Sequence, residues 1–438
     1  MCNRLIVRFV GLTGLFLSLS SAIIAQDYST ASEYYLDNEI RYADHSYLPE
    51  ITTVMLYRDQ WELSPPFLSL NSEETLRLDF DDLTANYTDF QVTFIQCNVN
   101  WQPSELMYSE YVDGLPDDFI TEYRYSRNTF QRFIHYSYTF PNQNIKFTKS
   151  GNYILVVYRN GNPQEPVITR RFIISEKRIQ VVPDIHWATN VNQRRSHQEI
   201  DFVLNFDAYQ LTNPYTDVHV VLMQNYRWDN VRTGIKPTFA ENDKLTYDSD
   251  EENVFMGGNE YRPFDTKDLN YRSAEIERTA RIDGTNHVYL LPDQRRSFRV
   301  YLDQPDINGW RLIKIDERNT DSDVDADYAY VHFVLPYDRR LPNGDIYIFG
   351  ALTNWQYQRD FKMVYNENRK QYEASVFLKQ GFYNYEYQFV ADGAPSGDVS
   401  VVEGTHSQTR NTYTVLVYHR TLGDDYDRLV AAETFQFP

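Results

Sequence analysis

The sequence predicts an all-β fold made of several immunoglobulin-like β-sandwich domains in tandem. Short alternating runs rich in β-branched and aromatic residues recur along the chain, and apolar patterns of helical period are nearly absent. Aromatic residues make up 16% of the chain, mostly as tyrosine, whose apolar ring and polar hydroxyl suit half-buried strands. Because 438 residues exceed one ordinary domain, we expect about two to four sandwiches.

The expected sandwiches follow one another with short connections. Residues 46–175 are predicted to form an N-terminal β-sandwich domain, and residues 176–319 a middle β-domain. An acidic linker is expected at 320–327, a C-terminal immunoglobulin-like sandwich at 328–420 and a tail at 421–438. The alternating runs that define these domains lie at 53–57, 75–80, 90–97, 154–158, 168–174, 218–223, 288–291, 331–335, 346–349, 373–378 and 412–418.

The N-terminus has the pattern of a secretory signal peptide at residues 1–25. Arg4 and Arg8 precede an apolar stretch, and the chain turns polar directly after Ala25. The apolar stretch is too short and interrupted for a comfortable membrane span. We therefore expect cleavage after Ala25, a polar leader at residues 26–45 and export from the cytoplasm.

Net charge and cysteine content exclude some kinds of partner and any intramolecular disulfide. The formal net charge is −20, which disfavours nucleic acid and anionic lipid as partners, and no direct membrane insertion is expected. Once residues 1–25 are removed, Cys97 is the remaining cysteine, so no intramolecular disulfide can form. Its strand-like setting predicts a buried, inert thiol.

Tests for catalytic and metal-binding patterns find no support for an enzyme. The acidic run at 320–327 lacks the glycine and the final glutamate of a calcium loop, and we interpret it as a solvated linker. His197 and Glu199 could form an acid/base pair, but a structural pair fits a strand better. The glycines at 257–258 indicate a turn rather than a phosphate loop. We expect no cofactor, no metal and no small-molecule substrate.

Glycan binding is the alternative function that the sequence leaves open. The string from Phe349 to Trp355, followed by Lys379, Tyr385 and Tyr387, resembles a glycogen-binding-type carbohydrate module. Such modules stack sugar rings on exposed aromatic side chains, and Trp355 is the candidate platform. The other interpretation is that Trp355 packs within its own sandwich or binds protein.

An ordered set of polar and aromatic strings carries a broader resemblance. Taken together, the strings resemble the plug protein family of the type IX secretion system of Bacteroidota, from about residue 51 to residue 429. Two departures are Pro263 and Ala431, where we expect an aromatic residue and a glycine. The strings include Phe80-Asp81-Asp82-Leu83, Trp101-Gln102-Pro103-Ser104, Arg227-Trp228-Asp229-Asn230, Gly257-Gly258-Asn259-Glu260-Tyr261-Arg262, Asp306-Ile307-Asn308-Gly309 and Tyr426-Asp427-Arg428-Leu429.

The resemblance implies a non-catalytic protein that closes the periplasmic end of the SprA-type outer-membrane translocon barrel when no substrate is engaged. The barrel is then the expected partner, and the protein is peripherally associated with it in the periplasm. We expect Arg227, Trp228, Glu260 and Arg262 of the middle domain as candidate partner contacts. The alternative is intramolecular, because two arginines near many carboxylates can brace loops by bidentate pairing.

Overall fold

The computed structural model describes residues 39–207, 209–316 and 319–437. The signal peptide expected at 1–25 and most of the polar leader expected at 26–45 lie outside these residues. The structure is 46% strand and 5% helix, so the predicted all-β fold of several sandwiches is confirmed. Every helix among the described residues is too short to span a bilayer.

The strands of the first sandwich run from residue 45 to residue 175. They are β1 (His45–Ser46), β2 (Ile51–Arg58), β3 (Phe67–Ser69), β4 (Leu76–Asp82), β5 (Phe90–Cys97), β6 (Val112–Gly114), β7 (Asp118–Phe119), β8 (Glu122–Tyr125), β9 (Ile134–Phe140), β10 (Ile145–Phe147), β11 (Gly151–Arg159) and β12 (Pro166–Ser175). A four-residue helix, α1 (Tyr108–Tyr111), precedes β6.

The strands of the middle part of the chain are β13 (Gln180–Trp187), β14 (His197–Asn205), β15 (Val218–Gln224), β16 (Arg232–Ile235), β17 (Phe239–Ala240), β18 (Lys244–Tyr247) and β19 (Val254–Met256), with the helix α2 (Pro214–Asp217) before β15. The remaining elements are β20 (Arg262–Asp265), β21 (Ile276–Ile282), β22 (Thr285–Leu290), β23 (Arg311–Ile313), α3 (Ser322–Asp325), β24 (Tyr328–Pro336), β25 (Gly344–Phe349), β26 (Val364–Asn366), β27 (Gln371–Lys379), β28 (Gly381–Ala391), β29 (Thr412–His419) and β30 (Arg428–Gln436). Short 3₁₀ turns lie at Ala351–Thr353, Arg359–Phe361 and Val399–Val401.

Two sheets form the first sandwich. One sheet has the order β1-β12-β11-β5-β7, with β3 pairing β12 in parallel, and the other has the order β2-β4-β9-β8. Their facing apolar side chains make one core, in which Phe80 and Tyr136 of the second sheet stack 5.2 Å apart. The aromatic residues of β5, β9 and β12 thus fill the space between the two sheets.

Strand pairing in the second sandwich crosses the domain boundaries that the sequence predicts. The sheet β13-β14-β18-β17 faces the sheet β16-β15-β29-β30, so residues 412–436 complete the middle part of the chain. The predicted C-terminal sandwich (328–420) and tail (421–438) therefore each contribute a strand to the second sandwich. The physical reason is β15, whose apolar run needs β29 beside it to satisfy its backbone.

The third sandwich takes strands from both sides of the predicted boundary at residue 319. The sheet β20-β28-β23, with β25 also on β28, faces the sheet β21-β22-β24-β27-β26. Strands β20 to β23 come from the predicted middle domain, yet Phe264 and Val288 lie in the core of the third sandwich. Phe264 stacks on Tyr383 of β28 with ring centroids 4.8 Å apart, which explains why β20 joins this sheet.

An apolar joint locks the first sandwich to the second. Strands β11 and β12 are buried on both faces, because one face fills their own core and the other packs on β15 and β29. Ile154 and Ile173 meet Leu416 and Tyr418 there, and the Tyr418 hydroxyl donates to Asn152 Oδ1 at 2.7 Å. β11 therefore has a continuous apolar run from Tyr153 to Tyr158 rather than an alternating one, whereas Thr169, Arg170 and Arg171 interrupt the apolar residues of β12.

The acidic run at 320–327 is not a solvated linker. Its helix α3 packs on β9, and the carboxylates of Asp321 and Asp323 both pair with the guanidinium of Arg124 in β8. Asp325 pairs with Arg127 through two hydrogen bonds, at 3.0 and 2.7 Å. The run is acidic because it faces arginines of the first sandwich, which a local pattern cannot reveal.

Candidate functional site

The string after β15 forms a turn held by side-chain amides. Asn225 and Tyr226 have φ of 53° and 58°, a left-handed conformation that needs outside support. The side chain of Asn225 provides it by donating to Asn411 Oδ1 at 2.8 Å and accepting from the backbone N–H of Thr412 at 2.9 Å. This turn directs Arg227 inward, between the second and third sandwiches.

Arg227 is an internal brace. Its side chain donates to Asp229 at 3.0 and 2.7 Å and to Glu386 of β28 at 3.2 Å, and the residue is 8% exposed. The guanidinium also lies 4.8 Å from the ring centroid of Phe349. Burial raises the pKa of the Glu386 carboxyl to about 7, against the opposing effect of Arg227. This contact joins a turn of the second sandwich to the third.

Arg262 occupies a second brace, built around the fully buried Glu403. Two parallel hydrogen bonds of 2.9 Å join the guanidinium to the two carboxylate oxygens of Glu403. Arg262 also donates to Asp293 at 2.8 Å, and Arg296 donates to Glu403 at 2.7 Å. Burial alone would raise the pKa of the Glu403 carboxyl, but the two arginines hold it below its usual range.

Glu260 lies beneath an exposed segment of the chain. It is 2% exposed and accepts hydrogen bonds from the Tyr301 hydroxyl and, at 3.0 Å, from the backbone N–H of Arg410. Gly257 allows this string to approach the loop around His406 closely, because a Cβ on Gly257 would lie 2.0 Å from the carbonyl oxygen of His406. The Gly-Gly-Asn-Glu-Tyr-Arg string is thus a crossing point that ties the loops near residues 301 and 406 together.

Trp228 belongs to a cation–π cluster on the joint between the first two sandwiches. The guanidinium of Arg171 lies 4.4 Å from the ring centroid of Trp101 and 5.2 Å from that of Trp228. The two indoles meet edge to face at 4.9 Å. The half-buried Trp228 therefore packs against its own chain.

Trp355 is packed into its surroundings rather than standing free. Its ring contacts Phe349 and Tyr261, with centroids 5.7 and 6.1 Å apart, and it adopts φ of 57°. A Cβ on Gly309 would lie 2.3 Å from the indole, so the glycine makes room for the ring. A sugar-stacking platform needs an open ring face, and the half-buried indole also has the guanidinium of Arg227 at 5.8 Å from its ring centroid.

Sequence reasoning missed the most buried charged cluster, which joins the first sandwich to the third. Asp81 is fully buried and bonds to Lys379 Nζ at 2.6 Å, the Tyr328 hydroxyl at 2.6 Å and His135 Nδ1 at 2.7 Å. The other ring nitrogen of His135 lies 3.4 Å from Asp79. The available signal was a set of charged residues inside strands of core character, at 79, 81, 135 and 379.

The titration of this cluster is that of an ion-pair network. Burial alone would lower the pKa of His135, but hydrogen bonds to Asp79 and Asp81 outweigh burial and raise the pKa to about 9. The pKa of Asp79 is lowered, since His135 and Arg77 outweigh the effect of burial. Acid and base are therefore both charged at neutral pH and bonded to each other, which suits a brace better than proton transfer.

One group of side chains among the described residues has ligand atoms close enough to hold a metal. His186, Glu199 and Asp201 have these atoms within 4.8 Å of one another on β13 and β14. Glu199 already accepts from the N–H and hydroxyl of Thr189, at 2.6 and 3.2 Å. His197 bonds to Ser196 Oγ at 2.8 Å, so the structure gives His197 and Glu199 separate partners.

The chain is similar to a solved structure over most of its length and to a family model over its first sandwich. A crystal structure of a hypothetical protein from Parabacteroides merdae ATCC 43184, at 2.30 Å resolution, is 31% identical and has a TM-score of 0.88. The match covers 91% of this chain and 100% of that one. No curated protein matches. The family model for the first domain of the type 9 secretion system plug protein matches residues 51–176, the region of the first sandwich. The chain belongs to the plug protein family of the type IX secretion system.

Proposed function

We propose that this chain is a non-catalytic plug that closes the periplasmic end of the SprA-type outer-membrane translocon barrel when no substrate is engaged. A barrel wide enough for folded cargo leaks unless something rigid covers it. The observation that carries the proposal is the family match of the first sandwich, together with the way the three sandwiches are fastened into one block. We further propose that residues 1–25 are a cleaved signal peptide that brings the chain to the periplasm.

The fastenings between sandwiches support a plug that keeps its shape under load. The first two sandwiches share an apolar joint, and the first and third share the buried bond between Lys379 and Asp81. The second and third share the bond between Arg227 and Glu386. Because each joint uses buried partners, separating the sandwiches would expose unpaired charges or apolar surface. A flexible string of domains could not seal an opening.

Exposed aromatic rings on the first sandwich offer surface for a partner. Tyr87, Tyr123 and Tyr125 are 48, 40 and 56% exposed, and the first two rings lie 4.7 Å apart. Phe119, on the edge strand β7, is 56% exposed. Tyrosine rings bury large areas at low entropic cost, which suits an interface that must form and release.

Affinity purification tests the proposal directly. The tagged chain is purified from gently solubilised outer membranes, and the proteins that co-elute are identified by mass spectrometry. We expect a very large barrel in stoichiometric amount, and we expect deletion of the plug gene to let a normally excluded hydrophilic dye enter the periplasm. Recovery of the chain alone, with no leak on deletion, would contradict the proposal.

The glycan-binding alternative has its own result in the same preparation. If the protein is retained on a glycan column and Trp355→Ala abolishes retention, sugar binding replaces the plug role. The control variant is Tyr271→Ala, since Tyr271 is 78% exposed and lies in a loop. Loss of retention in both variants would indicate nonspecific adsorption rather than a site.

A further inference from the structure

A surface segment carries the most exposed apolar side chains of its region. Phe298, Val300 and Leu302 are 89, 92 and 72% exposed. Phe298 lies in a turn that the backbone N–H of Arg299 closes by donating to the Arg296 carbonyl at 2.9 Å, and from Val300 the chain continues without turn or bend. Val300 and Leu302 therefore point to the same side, opposite the half-buried Tyr301 between them. Single exposed apolar residues are ordinary, but three close together on one segment mark an interaction site.

The side chains between them fix the segment to the protein. The Tyr301 hydroxyl donates to the buried Glu260, and Asp303 pairs with Arg410. At the N-terminal end, the backbone N–H of Arg296 donates to the Val402 carbonyl at 2.8 Å. At the C-terminal end, Asp306 accepts from the backbone N–H of Tyr261. These contacts therefore hold residues 300–304 in place, while Val300 and Leu302 remain in solvent.

The backbone of the segment has unused hydrogen-bonding capacity. Among the described residues, the N–H and C=O groups of residues 300–304 take part in no hydrogen bond within the chain. An extended chain with free backbone groups and alternating side chains is a template for an added β-strand. A cavity of about 390 Å³ adjoins it and is lined in part by Leu291, Pro292 and Arg299.

The charges beside the segment indicate which strand would fit. Arg295 and Arg299 form no ion pair among the described residues, although the whole chain carries a net charge of −20. A partner strand with apolar side chains for Phe298, Val300 and Leu302, and with a carboxylate beside the two arginines, would satisfy both requirements. Another copy of this acidic chain would bring a large like charge with it.

We infer that residues 300–304, with Phe298 at the turn before them, are a docking strand, to which the translocon adds an extended, apolar and acidic segment of its own. This inference rests on the proposed function and names the surface that performs it. Glu260 and Arg262 then act behind the strand, as positioning residues rather than contacts. Because the strand is already held extended, binding it costs less conformational entropy than ordering a free loop.

The test removes the apolar side chains without touching the anchors. The variant F298S/V300S/L302S should fold with an unchanged thermal midpoint, since the three side chains are mostly in solvent. Burial of each such side chain is worth roughly tenfold in Kd, so we expect recovery of the translocon with the tagged variant to fall at least tenfold. The matched control V191S/Y271S/L422S changes side chains that are 82, 78 and 105% exposed elsewhere and should recover the translocon fully.

A second pair of variants separates backbone pairing from side-chain contact. Both Leu302→Ser and Leu302→Pro remove the leucine, but only proline removes the free N–H. Strand addition predicts that the proline variant recovers less translocon than the serine variant, at an equal thermal midpoint. Equal recovery would overturn strand addition.

The remaining outcomes distinguish this inference from the proposed function. If the wild-type chain recovers no translocon, both fail. If the wild-type chain and F298S/V300S/L302S recover it equally, only the docking strand fails. Light scattering that shows a wild-type dimer but a monomeric variant would assign the segment to a second copy instead. Flotation of the wild-type chain alone with vesicles of phosphatidylethanolamine and phosphatidylglycerol would assign it to lipid and overturn the inference.

Discussion

Replacing Lys379 by methionine removes one charge from the most buried ion pair between the first and third sandwiches. The Lys379 side chain is 1% exposed, and its ammonium group bonds to Asp81 at 2.6 Å and to the Asp323 carbonyl at 2.7 Å. It also lies 4.2 Å from the centroid of the Phe133 ring. Methionine has a similar length and no charge, so the packing is largely kept while both hydrogen bonds are lost.

The expected loss of stability depends on the hydrogen bonds that Asp81 retains when Lys379 is replaced. Removing one partner of a buried ion pair costs about 3–5 kcal/mol, because the other charge is left without compensation. Asp81 retains the hydroxyl of Tyr328 and the ring of His135, so we expect about 3 kcal/mol, at the lower end of this range. The charge of His135, whose pKa is raised to about 9, is present at neutral pH and limits the loss.

Urea unfolding followed by tryptophan fluorescence measures this loss at pH 7. The double variant K379M/D81N should lose less free energy of unfolding than the sum of the two single variants, with a coupling of about 1–3 kcal/mol. Lys370→Met is the matched control, since Lys370 is 58% exposed and pairs with an exposed glutamate, and should change stability by less than about 0.5 kcal/mol. A loss below about 1 kcal/mol for Lys379→Met, or additive single variants, would refute the reasoning.

Three further predictions follow from burial and close approach. Since the pKa of His135 is raised to about 9 in the folded protein, its contribution to stability is full below about pH 6.5 and is lost as the pH rises through 9. Thermal melts should show this loss, and His135→Gln should remove that part of the pH dependence. Gly257→Ala should prevent normal folding, because its Cβ would lie 2.0 Å from a carbonyl oxygen. Gly393→Ala should cost only about 1 kcal/mol, since it has φ of +76° and open space; equal circular dichroism and melting of the two variants would contradict this reasoning. Burial raises the pKa of the Cys97 thiol to about 12, so iodoacetamide should label it in urea but not in the native protein, and native labelling would show that the site opens.

Local pattern was sufficient for the fold class and for the turns. Alternating runs predicted the all-β fold, and the apolar setting of Cys97 predicted a buried thiol, which is 0% exposed in the structure. The Gln224–Asn230 and Gly257–Arg262 strings lie at tight turns and crossings, but the residues that they contact there, Asn411 and His406, come much later in the chain. Alternation and turn residues are local signals, so a single sequence predicts them without their distant partners.

Long-range pairing was beyond the reach of local pattern. Strand β29 lies almost two hundred residues after β15 in the chain, yet the two pair from Val218 with His419 to Gln224 with Tyr413. No short-range signal states that 412–419 belongs with 218–224 rather than with the strands just before it. The prediction of a solvated linker at 320–327 was wrong for a similar reason, because the arginines that pair with its carboxylates belong to the first sandwich.

Buried ionic side chains and exposed apolar side chains occur together around the loop that carries Arg296. A self-contained domain places most of its ionic side chains in water and its apolar side chains inside. Here Arg262 and Glu403 are buried, while Phe298 and Val300 are exposed on the segment that begins at Arg296, which donates to the same Glu403. The buried pair adds little net stability over apolar residues, but it fixes the loops through which the segment is anchored. Holding an exposed apolar strand in a fixed position gives the isolated protein no burial of that strand. It does reduce the conformational entropy that is lost when a partner binds there.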